Sequence, residues 1–160
     1  TAATVRLYAD AQHPSRMSLP LVWASRSDAD GDGMPDLYEA TYFGGYTNGI
    51  AYADIDGDGQ DNLSEYTAGT NPTNSVSALR VHANSDGGSV TISFETVIAQ
   101  GPGYERHTRI YTLFTGPDIE NGSWQPVPGY EDLPASGTAI AYSFVPSSDQ
   151  ELFRVGTRLE

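Results

Sequence analysis

The sequence contains no cysteine and few basic residues. Without cysteine, neither a disulfide framework nor a thiolate metal site can hold the fold together. The 8 Lys and Arg residues stand against 21 Asp and Glu residues, which gives a formal net charge of -13. Such a charge repels nucleic acid and anionic membrane surfaces, so we expect no nucleic-acid partner and expect cations to be the natural ligands.

Long apolar segments are also missing. No stretch approaches the ~20 apolar residues of a membrane-spanning helix, and residues 1–10 show neither the basic start nor the apolar run of a signal peptide. We therefore expect no insertion into a membrane. The sequence does contain 17 Gly, 10 Pro and 10 Tyr, a composition typical of a turn-rich β protein rather than a helical one.

Two acidic segments form an internal repeat. The first copy, DADGDGMPDLYEAT, begins at Asp28, and the second, DIDGDGQDNLSEYT, begins at Asp54, an offset of 26 residues. In each copy carboxylates recur on alternate residues, a glycine occupies position 6 and a glutamate occupies position 12. This spacing is that of a loop in which one curled segment supplies most of the six to eight oxygens that calcium takes. The sequence therefore predicts two bound calcium ions.

The predicted ligands occupy loop positions 1, 3, 5, 7, 9 and 12, with a backbone carbonyl at position 7 and a bidentate glutamate at position 12. They are Asp28, Asp30, Asp32, the Met34 carbonyl, Asp36 and Glu39 in the first loop, and Asp54, Asp56, Asp58, the Gln60 carbonyl, Asn62 and Glu65 in the second. The alternative is an acidic surface turn without a metal, but that would leave many carboxylates close together with nothing to offset their repulsion. Magnesium fits less well because it prefers a strict octahedron and keeps its waters.

The two loops resemble the thrombospondin type 3 repeats of bacterial proteins, whose calcium loops read D-x-D-x-D-G-x-x-D-x-x-E followed by G-T-[DN]-P. Here the loops are residues 28–39 and 54–65, and the second is followed by the run GTNP at residues 69–72. The resemblance covers roughly residues 28–75 and implies a calcium-binding module of a secreted protein. Dockerins carry similar paired loops, but theirs precede longer amphipathic helices, which the glycine-broken exits here do not match.

The pattern changes after residue 77 to the alternation typical of half-buried strands. Six short strands separated by turn signals favour an Ig- or fibronectin-like β-sandwich. The predicted strands are 79–83, 89–99, 106–115, 124–127, 138–145 and 151–159. We expect the helices that leave the two loops to be short, the first ending near Phe43 and the second at Gly69. The predicted fold is thus mainly β, with a small calcium-binding module of two loops and short helices.

Three regions follow from these patterns. They are an N-terminal strand and connector (1–27), a calcium-binding module (28–77) and a β-sandwich domain (78–160). Residues 4–9 alternate like a strand that stands alone, followed by an irregular connector. The region after residue 78 resembles the small β-sandwich that often follows such repeats in secreted bacterial proteins, and this resemblance implies location more than activity.

The leading hypothesis is a secreted, non-enzymatic structural or adhesive protein, located outside the cell or at its surface, whose module is rigidified by two calcium ions. Millimolar external calcium is enough even for weak sites, with dissociation constants of ~10⁻⁴ to 10⁻³ M. The N-terminal strand could pair with another copy of the chain to form a head-to-tail fibre, or it could fold back onto its own sandwich. These two alternatives remain open at the level of sequence.

The rival hypothesis is a carbohydrate-binding accessory module of a polysaccharide-degrading system, whose partner would be a cell-surface or other glycan. Its basis is that five aromatic rings could form a platform for a sugar. The alternative is that the same rings simply pack in the core. The rings are Trp124, Tyr104, Tyr111, Tyr130 and Tyr142.

Other polar residues give weaker signals, and we expect no catalytic residue. Glu95 and Glu105 could face each other as a glycosidase pair, although on alternating strands they more often face water. His82 and His107 have no ligand-like spacing and are expected on strand surfaces. Asn121 begins a glycosylation acceptor pattern, whereas the same pattern at residues 62–64 lies inside a calcium loop and should be unavailable.

Overall fold

The computed structural model describes residues 27–116, 123–147 and 151–160, together with the backbone of residues 6–8 and 16–18. Asn121 lies outside these residues. The described part of the chain is mainly β. Its helices are α1 (Asp36–Tyr42) and α2 (Asn62–Ala68). Its strands are β1 (Arg6–Tyr8), β2 (Arg16–Ser18), β3 (His82–Asp86), β4 (Ser89–Glu95), β5 (Arg109–Gly116), β6 (Gln125–Pro126), β7 (Leu133–Pro134), β8 (Ala139–Phe144) and β9 (Leu152–Leu159). Within those described ranges, neither helix has the length and apolar character that a membrane crossing requires.

Two antiparallel sheets make up the C-terminal half. In one, β4 lies between β3 and β8; in the other, β5 pairs along its length with β9 on one edge and with the short β6 and β7 on the opposite edge. The sheets contribute to one buried core, formed by Ile92, Phe94, Tyr111, Leu113 and Val127. This arrangement is compatible with the predicted β-sandwich.

The N-terminal strand does not stand alone, so that prediction is wrong. β1 pairs antiparallel with β2, and Leu7 lies opposite Met17. A three-residue strand such as β2 is too short to show the alternation by which strands are recognised in a sequence. The outer residues of the predicted strand 4–9 lie outside the described positions.

The first strand of the sandwich region begins three residues later than predicted, because the chain turns later. Gly87 and Gly88 have φ of 57° and 87°, and positive φ at both central residues is what a tight two-residue hairpin with the right twist requires. The turn therefore consists of the two glycines alone, so Ser85 and Asp86 pair with β4 instead of joining the turn.

The strands that flank the next connection are shorter than predicted. β4 stops at Glu95, and the next residue, Thr96, donates both its N–H and its hydroxyl to the Thr138 carbonyl, at 3.2 and 2.8 Å. β5 starts only at Arg109, and Arg106, predicted as strand, has a φ of 68° that no strand allows. β7 is a missed element of two residues, again too short to show a period.

Both helices end where the sequence predicts. α1 stops before Phe43, and α2 is capped by Gly69 in the left-handed conformation with a φ of 79°. The boundaries proposed at residues 27 and 77 stay predictions.

A second buried core joins the helices to the sheets. Met34, Tyr38, Ala51 and Tyr66 come from the region of the loops and helices, and Tyr104 comes from the connection between β4 and β5. The Tyr66 and Tyr104 rings stack with centroids 4.9 Å apart. The Tyr104 hydroxyl donates to the Tyr66 carbonyl at 2.8 Å. The region of the two acidic loops is therefore packed against the β region rather than tethered to it.

Candidate metal sites

The two acidic loops fold in the same way. We refer to residues 28–39 as loop 1 and residues 54–65 as loop 2. Gly33 and Gly59, at position 6 of each loop, have φ of 97° and 96°. Residues with a side chain rarely adopt such values, so glycine at this position lets the backbone curl around a centre.

The aspartate at position 1 organises each loop. The Asp28 carboxylate accepts the N–H groups of Gly31, Asp32 and Gly33 at 2.8, 3.2 and 3.0 Å. The Asp54 carboxylate accepts the three equivalent N–H groups at 2.8, 3.2 and 2.9 Å. Because the same three bonds recur, the repeat in the sequence is also a repeat in the structure.

Three carboxylates converge in each loop. One oxygen from each member of a triplet lies within 4.8 Å of the others; the triplets are Asp28, Asp30 and Asp32 in loop 1 and Asp54, Asp56 and Asp58 in loop 2. At position 9 of loop 1, Asp36 folds back so that its Oδ1 accepts the Ala29 N–H at 2.8 Å. Predicted ligands at positions 1, 3 and 5 are thus brought together in both loops.

The position 7 residues are fixed in the loops by their N–H groups. The Met34 N–H donates to Asp32 Oδ1 at 2.8 Å, and the Gln60 N–H donates to Asp58 Oδ1 at 2.9 Å. The Met34 side chain is fully buried in the second core. Each position 7 residue is therefore held by a hydrogen bond within its own loop, and Met34 is also held by the core.

The glutamate at position 12 is the decisive residue of each loop. Glu39 on α1 and Glu65 on α2 are both 0% exposed. Oε1 of Glu39 accepts the Gly49 N–H at 2.9 Å, and Oε1 of Glu65 accepts the Thr70 hydroxyl at 3.0 Å. Among the described residues the Oε2 atom of each has no hydrogen-bond partner. A buried carboxylate oxygen without a partner is costly, and a cation shared with the aspartates would supply that partner.

Loop 2 has further buried oxygens in the same condition. The Asn62 amide donates from Nδ2 to the Ile50 carbonyl at 2.8 Å, and its Oδ1 is buried without a partner in the described part of the chain. Oδ2 of Asp56 and Oδ2 of Asp58 are buried and unpartnered there as well. Positions 3, 5, 9 and 12 of loop 2 thus each offer one free oxygen.

Both glutamates resist ionisation in this environment. Burial raises the pKa of Glu39, and the charges of Asp30 and Asp32 add to the effect. Burial raises the pKa of Glu65 to about 7, again with repulsion from the loop aspartates. Neither glutamate belongs to the group of oxygens within 4.8 Å of one another that the aspartates of its loop form. A divalent cation held between the glutamate and these aspartates would offset both causes.

The raised pKa of Glu65 predicts a pH dependence. An acid whose pKa is higher in the folded state stabilises the fold when protonated, so without calcium this stability is present below about pH 4.5 and lost as the pH rises through about 7. Calcium requires the carboxylate, so its affinity should rise over the same interval. Melting temperatures measured with calcium and in calcium-free buffer without a chelator should therefore diverge as the pH rises. A difference that is the same at both ends of this interval would contradict the prediction.

The donor set fits calcium. All predicted ligands are carboxylate, amide or backbone oxygens, which suit a hard cation. Among the described residues, two groups of acidic or histidine side chains could hold a metal, and these are the two aspartate triplets. Neither triplet includes His82 or His107. The chain matches no protein-family model, no curated protein and no solved structure. The case for the sites therefore depends on their own geometry.

The run GTNP after loop 2 has a physical role that the sequence alone did not reveal. Gly69 caps α2, and its N–H donates to the Glu65 carbonyl at 2.7 Å. Thr70 then holds the Glu65 side chain through the hydroxyl contact described above. Asn71 accepts the Thr73 N–H in a local turn at 3.0 Å. This run therefore fixes the carboxylate at position 12.

Arg109 also has a role that sequence reasoning missed. It is 1% exposed at the start of β5, and it donates to the Thr67 carbonyl at 2.6 Å, the Tyr66 carbonyl at 3.3 Å and the Val97 carbonyl at 2.7 Å. A cation at the C-terminal end of a helix complements its dipole and satisfies its free carbonyls. Arg109 thus fixes α2, which carries Glu65, against the second sheet.

Three weaker signals from the sequence have mixed outcomes in the structure. The five aromatic rings do not form one exposed platform, because Tyr104 and Tyr111 are buried in two separate cores. Glu105 lies outside any strand, where its Oε2 accepts the Gly103 N–H at 3.1 Å, so it cannot face Glu95 from a neighbouring strand. His107 also lies outside the strands, whereas His82 is exposed on β3 as predicted.

Proposed function

We propose that this chain binds two calcium ions, one in each loop, and that the ions are structural. The observation that carries the proposal is the pair of fully buried glutamates, Glu39 and Glu65, each of which has an Oε2 without a partner in the described part of the chain and belongs to a loop with three converging aspartates. An acidic surface turn would leave its carboxylates in water, where no cation is needed. Here the free oxygens lie where water does not reach.

The structural role follows from how loop 2 is connected to the sheets. The Gln60 side chain donates to the Leu79 carbonyl at 3.2 Å and accepts the Leu79 N–H at 3.4 Å. The other end of the loop leads into α2, which Arg109 holds. An ion that fixes the loop therefore also fixes the contact between the module and the β region, because both attachments leave directly from the loop.

We propose further that the protein is non-enzymatic and works outside the cell as a structural or adhesive component. The support is that calcium sites built only from oxygen ligands include weak extracellular sites, which fill at the millimolar calcium of an extracellular medium. The Ig- or fibronectin-like class of the sheets belongs to the same proposal. Calcium-dependent stability at cytosolic, submicromolar calcium would contradict the extracellular assignment.

Assembly into a fibre through the N-terminal strand stays a separate hypothesis. The pairing of β1 with β2 means that an exchange must either separate these strands or move them together. Light scattering after size exclusion, compared between the full chain and a variant lacking residues 1–9, tests it. Assembly that does not change on deletion would retire the idea, and glycan affinity electrophoresis would do the same for the carbohydrate-binding alternative.

Removing either glutamate should remove one ion. Glu39→Gln and Glu65→Gln keep the size of the side chain but lose its charge, so each should weaken calcium binding at its own loop by about 100-fold or more. Isothermal titration should then find one ion per chain instead of two at about millimolar calcium. Glu105→Gln is the matched control, since Glu105 lies outside both loops, and it should keep two. Two ions in all three variants would refute the assignment of position 12.

A further inference from the structure

A short segment between the loops is bonded to both candidate sites. We refer to residues 49–53 as the linking segment. At its start the Gly49 N–H donates to Glu39 Oε1 at 2.9 Å, and the next residue, Ile50, accepts the Asn62 amide through its carbonyl at 2.8 Å. Glu39 is position 12 of loop 1 and Asn62 is position 9 of loop 2. Two adjacent residues therefore join a ligand of one site to a ligand of the other.

Each of these two ligands divides its polar atoms in the same way. Glu39 gives Oε1 to the linking segment, and its Oε2 is buried and unpartnered in the described part of the chain. Asn62 gives Nδ2 to the linking segment, and its Oδ1 is likewise buried and unpartnered there. The bond to the linking segment therefore determines where the remaining oxygen of each ligand points.

The linking segment is held firmly along its length. The Ile50 carbonyl also accepts the Ala53 N–H at 2.9 Å. The Ala51 carbonyl accepts the Leu63 N–H and the Ala53 carbonyl accepts the Asn62 N–H, both at 2.9 Å. A displacement of Gly49 should therefore be transmitted along the linking segment to loop 2 rather than be absorbed within the segment.

The start of the linking segment is equally confined. A Cβ added to Gly49 would lie 2.7 Å from Met34 Cε and 2.7 Å from the Phe43 ring. Met34 is the position 7 residue of loop 1, and Phe43 caps α1. The close approach of Gly49 to loop 1 thus depends on the lack of a side chain.

We propose that the linking segment couples the two calcium sites, so that filling one raises the affinity of the other. The inference rests on the proposed function. When loop 1 is filled, Glu39 is fixed on the ion and on the Gly49 N–H. The Ile50 carbonyl is then held in place to orient Asn62 toward the second ion. Part of the ordering that the second ion needs has already occurred, which is the physical basis of positive cooperativity.

The test compares each site with its neighbour filled or disabled. Asp30→Asn with Asp32→Asn disables loop 1, and Asp56→Asn with Asp58→Asn disables loop 2. Each pair removes two negative charges, the same change in net charge as one bound calcium ion, so the long-range electrostatic effect on the other site is matched. In calorimetric titration the remaining site should bind about 5–20-fold more weakly than with its neighbour filled, and linkage requires a similar factor in both directions.

Asn62→Asp isolates the bond that carries the coupling. Loop 1 already has an aspartate at this position, so an oxygen ligand is retained, but the donor to the Ile50 carbonyl is lost. Two ions should still bind, with the coupling factor reduced to within about twofold. A factor that persists would overturn the role of the Asn62 bond. Two ions that bind independently to the unmodified chain would overturn the coupling while leaving the proposed function intact, and no binding would refute the proposed function itself.

A second measurement avoids any substitution at Asn62. In the variant with loop 2 disabled, calcium can enter only loop 1. The side-chain amide signals of Asn62 in an NMR spectrum should nevertheless shift with calcium, in step with the filling of loop 1. Signals that stay in place while loop 1 fills would contradict the coupling.

Discussion

Removal of calcium is expected to lower the melting temperature by about 10–20 °C. An ion present at about 100 times its dissociation constant stabilises the fold by about 2.7 kcal/mol, so two ions contribute about 5 kcal/mol. For a chain of 160 residues, each kcal/mol corresponds to about 2–4 °C. Thermal unfolding followed by circular dichroism measures the difference between EGTA and about 10 mM calcium, which is about 100 times a dissociation constant of ~10⁻⁴ M.

The control for calcium removal is magnesium at the same concentration as calcium. Magnesium keeps its waters and prefers an octahedron, so it should restore only a small part of the lost stability. Equal restoration by magnesium would show that general charge screening, rather than the loop geometry, stabilises the fold. A melting temperature unaffected by EGTA would contradict a structural role for the ions.

Replacing Arg109 should strongly destabilise the fold. Arg109→Met keeps a long, unbranched side chain without the charge. It leaves the Thr67 and Val97 carbonyls without the guanidinium. It also removes the cation over the Tyr104 ring, which lies 4.9 Å from the ring centroid. Each buried carbonyl left unsatisfied costs about 1–3 kcal/mol. We expect the free energy of unfolding, measured by urea denaturation in calcium, to fall by about 3–5 kcal/mol.

Arg158→Met is the matched control for Arg109. Arg158 is paired with Asp132 and Glu160, but its side chain is 46% exposed. Exposed ion pairs contribute about 0–1 kcal/mol, so this variant should unfold almost like the unmodified chain. If both variants lose the same small amount, Arg109 is not the attachment point that its contacts indicate.

The curled backbone of the two acidic loops could be predicted from the sequence because its causes are local. All proposed ligands of a site lie within twelve residues, so the spacing of carboxylates and the glycine at position 6 already determine how the loop folds. The helix ends at Phe43 and Gly69 were predictable for the same reason, since a glycine signals the end of a helix to its immediate neighbours. Local rules thus account for the loops, the helix ends and most strands.

Contacts between distant residues could not be predicted in this way. Arg109 meets the end of α2 across about forty positions of sequence, a separation that no local pattern encodes. The linking segment was passed over because a run rich in glycine indicates a turn and not a contact between ligands. Tyr104 and Tyr111 were considered for a sugar platform because composition does not say which aromatic rings are buried. Tertiary packing settles each of these questions.

The burial of the two glutamates is the finding that the sequence could suggest least. A glutamate at position 12 is expected from the motif, but its complete removal from solvent depends on the aromatic core beside it. Tyr38 packs its ring 4.9 Å from that of Tyr66, and each tyrosine is the chain neighbour of Glu39 or Glu65. The core that joins the loop region to the β region therefore also helps to exclude water from both glutamates.

A count of bound calcium tests the central claim most directly. The full chain and the double variant Glu39→Gln with Glu65→Gln would each be dialysed to equilibrium against about millimolar calcium, and the excess calcium on the protein side of the membrane would be counted by mass spectrometry. Two calcium ions per chain in the first protein and none in the second is the predicted result. A calcium content that is the same in both proteins, whether two or none, would contradict the assignment of the buried glutamates as calcium ligands.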